Sequence, residues 1–225
     1  LMQSDAVDIV IEKAYRENSE AFRRLLDLFV TSGDDSKLSS IITSLYENSR
    51  AFPFSEKWLD SLVTPYKNPT EILNSPWGAT IVDYIIDMVD YCRQISKSAI
   101  DAIEADDPEA YVKFAPLFGE YEEYFNTFIS VLENGTWDEI CAHAQKFRSG
   151  TIARKETAYG PRAKAIKAEV VEIMTKRLPK LLCCNDAEFK EDVEFLLSAV
   201  QKLIDLVKDF SKEFTALKAA SNGVD

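Results

Sequence analysis

A chain of 225 residues with 46% apolar and 11% aromatic content can build a sizeable core, which excludes a disordered protein. Seven glycines and eight prolines are few for a fold made of tight turns, so helices are expected throughout. A formal charge of −12 opposes long-range attraction to nucleic acid, and no apolar run approaches the ~18 residues that a membrane-spanning helix needs.

Residues 5–30 carry Val7, Val10, Ile11 and Ala14, then Phe22, Leu25, Leu26 and Phe29, at helical spacing, which predicts one long helix or two abutting ones. Asp35 or Ser36 can cap a helix reaching about Asn48. Pro53, Pro65, Pro69 and Pro76 then divide the chain into short pieces, with one helix expected over 55–63. Apolar residues recur at threes and fours from Ile81 to Ile103, a helix of about six turns. Pro108 suits the first turn of a shorter helix, and Pro116 opens the next, which Asn134-Gly135 ends. Thr136 caps a helix over 137–147; further helices are expected over 161–177 and 186–220.

The last of these holds the sharpest pattern. Phe189, Val193, Leu196, Val200, Leu203, Val207, Phe210, Phe214 and Leu217 alternate steps of four and three. Taken alone this is a parallel dimer seam, but Leu197, Ala199, Ile204 and Leu206 fill flanking positions where a two-stranded coiled coil carries charge. The stripe, and with it Val193, Leu196, Val200, Leu203, Val207 and Phe210, is therefore expected to pack mainly inside the chain as part of a hairpin or bundle, with the 81–103 helix as a neighbour and a homodimer as the alternative.

Catalytic signals are absent from the sequence: it has no GxSxG, HExxH, P-loop or GxGxxG pattern. The only histidine, His143, has Glu139 on the same helical face, and two side chains do not make a metal site. Cys92, Cys141, Cys183 and Cys184 show no CxxC spacing and are expected to be reduced, buried thiols in a reducing compartment. No cofactor or metal is expected. "LENGTWDE" is similar to the second homology motif of the apoptosis-regulating Bcl-2 family, and "SPWGATIV" to the first. Position 76 is proline where that first motif has asparagine, and position 79 is alanine where it has arginine, so no family is recognised.

Against the acidic background, residues 146–180 gather ten basic residues and only three acidic ones. Arg162, Lys164 and Lys167 fall in the first turns of a helix, where the macrodipole disfavours cations. Together with Arg148, Arg154 and Lys155 they form either an internal clamp on acidic neighbours or an anion site for a phosphoinositide or phosphate.

The expectation is a single all-α domain over 1–225, an extended multi-helix bundle that subdivides, if at all, in the proline-rich stretch 50–76. Its function is expected to be that of a non-enzymatic, cytoplasmic protein-interaction module with a basic anion-binding surface. The expected partners are another protein and anionic membrane lipid, with peripheral membrane attachment, and nucleic acid is disfavoured. The alternatives are a pathogen effector translocated into a host cytoplasm, whose helical layout is similar to that of rust-fungus and oomycete effectors, and an enzyme using an unseen carboxylate pair.

Overall fold

A computed structural model describes residues 2–30, 35–106, 108–152 and 157–221, and among them there is no strand. In chain order the helices are α1 (Met2–Glu17), α2 (Glu20–Phe29), α3 (Ser36–Ser49), α4 (Ser55–Ser61), α5 (Thr64–Lys67), α6 (Gly78–Asp106), α7 (Pro108–Asn134), α8 (Trp137–Ala144), α9 (Gly160–Glu172) and α10 (Asp186–Ala220). A 3-10 turn at Ile72–Asn74 precedes α6; a π-helical turn at Ile173–Arg177 and a 3-10 turn at Leu178–Lys180 follow α9. The all-α fold class is as the sequence predicts.

The chain divides into two compact units, one made of Leu1–Pro69 with Glu191–Asp225 and the other of Thr70–Lys190. In the first, α1 and α2 abut at Asn18, whose φ of 44° lies in the left-handed region that asparagine tolerates. Ser19 then caps α2, its hydroxyl accepting from the Phe22 amide. The core of this unit joins Val7, Val10, Ile11 and Ala14 of α1 with Phe22 and Leu25 of α2 and Leu38, Ile42 and Tyr46 of α3. From α10 it takes Ala199, Leu203, Ile204, Leu206, Val207, Phe210 and Phe214. Of the residues flanking the heptad stripe, Ala199, Ile204 and Leu206 are thus buried with it and Leu197 is half-buried. Val193 is also buried, and Leu196 and Val200 are half-buried.

In the second unit the long helices α6 and α7 pack on each other, and α9 packs on α6. The partner of α6 is therefore α7, a correction to the expected pairing with the C-terminal helix; apolar spacing marks a face and does not name what covers it. Another correction concerns Pro116, which lies inside α7 and does not divide it. An interior proline costs ~3 kcal/mol. Here Phe114, Leu117 and Phe118 on either side of it are almost fully buried, and their burial outweighs that cost.

Candidate functional site

The cation-rich stretch belongs to the second unit and is held by its aromatic core. Thr136 caps α8 through a capping box with Glu139, whose carboxylate accepts from the Thr136 amide at 2.8 Å. Those hydrogen bonds hold the Glu139 carboxyl below its ordinary range. Trp137 is buried and donates from Nε1 to the Cys184 carbonyl at 2.8 Å, which anchors the start of α8. Past the end of α8, Tyr121 donates its hydroxyl proton to the Ser149 carbonyl at 2.5 Å, and Phe147 packs among Tyr121, Tyr124 and Phe125. Burial, followed by the Glu120 charge, pushes the Tyr121 phenol up to about 12, so it stays a donor at neutral pH.

Gly150 comes next, with a φ of +56°. That φ favours glycine, and a Cβ there would lie 2.3 Å from Leu117 Cδ1, so the leucine side chain would have to shift. Lys167 reaches from α9 to donate to the Gly150 carbonyl at 2.8 Å. An open groove results, lined by Ser149, Thr151 and Ile152 on one side and Lys164, Lys167, Ala168 and Val171 on the other.

Helix α9 starts at Gly160 with proline in its first turn and no acidic residue there. Its amide dipole and its cations thus point the same way, toward a negative ligand. The Arg162 guanidinium stands 5.6 Å from the centre of the Tyr159 ring. Two hydroxyls near the helix start, Thr157 Oγ1 and Tyr159 Oη, are buried with no hydrogen-bond partner among the described residues. Arg148, Arg162 and Lys164 are exposed and Lys167 is half-buried. None of the four is ion-paired with a described carboxylate. Arg154 and Lys155 lie outside the described residues.

His143 is not part of this groove. Its ring stacks on Tyr124 at 4.9 Å and lies 4.9 Å from Phe128, and its Nε2 is buried without a partner. Burial, then the Lys146 charge, lowers its pKa. Among the described residues no group of His, Cys, Asp and Glu is placed to hold a metal ion. The four cysteines differ in exposure. Burial pushes Cys92 up to about 12, whereas Cys183 is exposed in the segment between Lys180 and α10, contrary to the expectation that all four are buried. No described helix is long and apolar enough to cross a membrane.

Fold and groove together define an all-α chain with an open, cation-lined face. No family model matches it. Among curated proteins it is similar, over its whole length, to ATP-dependent helicase/nuclease subunits of Acetivibrio thermocellus (22% identity), of Ruminiclostridium cellulolyticum (20%) and of Bacillus mycoides (24%). The chain spans only 18% to 19% of the length of these relatives.

These similarities correct the functional expectations drawn from the sequence. A non-enzymatic interaction module, with a translocated effector as its alternative, is overturned by relatives that are named as ATP-dependent enzymes. The partner expectations fall with it: a helicase/nuclease is the wrong relative for a chain expected to avoid nucleic acid and to seek lipid. The error has a physical source. Net charge is an average over the chain, whereas a polyanion at contact meets the local charge of one face, within a screening length of about 8–10 Å.

Proposed function

We propose that this chain is a helical segment of an ATP-dependent helicase/nuclease, in which Arg148, Arg162, Lys164 and Lys167 contact the phosphates of its nucleic acid. The reading gives the segment the task of holding the strand and leaves ATP binding and strand cleavage to the rest of such a protein. The observation that carries it is the run of similarity along the whole chain to proteins of that name. The groove adds a physical reason, because Lys164 and Lys167 line it, Arg162 stands in the first turn of the same helix, which has no acid there, and none of the three is ion-paired with a described carboxylate.

The test is fluorescence anisotropy of a labelled DNA oligonucleotide, duplex and single-stranded, titrated with the 225-residue chain at low salt. Binding is expected, and the double variant Arg162→Glu/Lys164→Glu should lose at least tenfold in affinity for both forms while keeping its helical circular dichroism. A parent that binds neither form at low salt overturns the reading. A folded double variant that binds as the parent does removes α9 from it.

A further inference from the structure

The first unit carries an aromatic cluster that extends from its core to the surface. Between α3 and α4 the chain reads Arg50, Ala51, Phe52, Pro53, Phe54, and Trp58 follows one turn into α4. Phe52 is 43% exposed and Phe54 69% exposed, two large rings side by side in one short connection. The Phe52 and Trp58 rings are stacked, with centroids 4.7 Å apart and planes 12° from parallel. Trp58 is half-buried against the core of the unit, so it is the fixed inner member of the stack and Phe52 the outer one.

One cation lies over a ring of this cluster, and a second stands two residues before Phe52 in the chain. Lys57 Nζ lies 5.0 Å from the Phe54 ring centre, and the Arg50 guanidinium lies 5.9 Å from the ring centre of Tyr46. Tyr46 is itself held edge-on by Phe210 and Phe214. Neither cation is ion-paired with a described carboxylate, whereas Asp60 of α4 is neutralised by Lys208 at 2.6 Å. Glu47 and Glu56, both exposed, balance the two cations, so the cluster as a whole is close to neutral.

We infer that Phe52 and Phe54 are a stacking platform for unpaired bases of single-stranded nucleic acid, with Arg50 and Lys57 positioned for the flanking phosphates. The stacked Phe52–Trp58 pair already has the parallel geometry that an added base would extend, and Lys57 beside Phe54, with Arg50 two residues before Phe52, supplies cations for the phosphates on either side. Paired bases in a duplex keep their faces covered by their neighbours, so the platform selects for single strands. Its ring contacts depend little on salt, whereas the Arg50 and Lys57 contacts add to the salt dependence. This inference rests on the proposed nucleic-acid function, and adds to the phosphate contacts of α9 a means of distinguishing strand from duplex.

The experiment titrates the full chain with a labelled oligo(dT) strand and with a duplex of the same length, following anisotropy and the intrinsic fluorescence of Trp58. The platform predicts quenching by the single strand that is absent in Trp58→Phe. The double variant Phe52→Ala/Phe54→Ala should lose about tenfold or more in single-strand affinity, duplex affinity being unchanged. Phe52→Tyr/Phe54→Tyr, which keeps the ring faces, should bind as the parent does.

If the alanine variant keeps its single-strand affinity while Arg162→Glu/Lys164→Glu loses it, the platform is refuted and the α9 contact stands. The reverse pair of results supports the platform and removes α9. A parent that binds no nucleic acid sinks both. Light scattering that shows a dimer of the parent, abolished by the alanine variant with single-strand affinity unchanged, assigns the rings to a protein contact and overturns the inference.

Discussion

Lys167 Nζ donates to the carbonyl of Gly150 at 2.8 Å, so the cationic face of α9 is fastened to the one described glycine with a positive φ. An alanine at position 150 would have to hold that φ and displace Leu117 as well. Gly150→Ala is therefore expected to cost about 1–3 kcal/mol. Gly119, inside α7, is the control: nothing lies within 4 Å of an added Cβ, so Gly119→Ala should stabilise by about 0.5–1 kcal/mol. Denaturant titration of both variants measures the contrast, and equal effects would refute the assigned strain.

Salt should report the α9 contacts separately from any stacking. If Arg148, Arg162, Lys164 and Lys167 each neutralise one duplex phosphate, the logarithm of the affinity should fall with the logarithm of salt with a slope of about −3.6. Lys164→Ala alone should make that slope shallower by about 0.9. Titrations between about 50 and 200 mM salt decide it. A slope unchanged in the variant would place the phosphates elsewhere.

His143 gives the chain a pH dependence that can be read in isolation, since it is the only histidine. Its folded pKa lies below the ordinary value of 6.5, first through burial and then through Lys146, so folding favours the neutral ring. That contribution to stability is complete above the unfolded pKa and is lost as pH falls through the folded one. The thermal midpoint should therefore be lower at pH 5 than at pH 7.5 by a margin that shrinks in His143→Phe. Proton NMR of the ring should show a midpoint below 6.5; one above it would reverse the argument.

Two phenylalanines of α10 offer a packing test within the first unit. Phe210 is fully buried, 5.0 Å from the Tyr46 ring and stacked on Phe214 at 5.7 Å. Phe210→Ala should cost about 3–5 kcal/mol. Phe195 is 56% exposed and meets the Arg24 guanidinium at 5.1 Å from its ring centre, so Phe195→Ala should cost no more than about 1 kcal/mol. Equal losses in chemical denaturation would contradict the burial pattern.

Short-range chemistry made much of this fold legible. Thr136 with Glu139 announces the start of α8, Asn134-Gly135 the end of α7, and the alternation from Phe189 to Leu217 the length of α10. What could not be read depends on contacts between distant residues. Pro116 looks like a helix boundary until the burial of Phe114 and Phe118 is known, and nothing in the spacing of α6 says that α7 covers it. The cation cluster is visible as a run of charge, but its groove needs Gly150, Tyr121 and Lys167 brought together from three separate stretches. Phe52 and Phe54 read as part of a proline-rich connector, because exposure is not a property of a sequence. The pair of aromatics around Pro53, with Trp58 four residues beyond the second, is the signal available.

The first unit is assembled from Leu1–Pro69 and Glu191–Asp225, with the whole of the second unit encoded between them. During synthesis α1, α2 and α3 leave the ribosome long before Leu203, Val207 and Phe210 exist to complete their core. Thr70–Lys190, continuous in sequence, can close its own core as soon as it emerges. Phe22, Leu25, Leu38 and Ile42 must therefore wait for α10 before the core they share with it is complete.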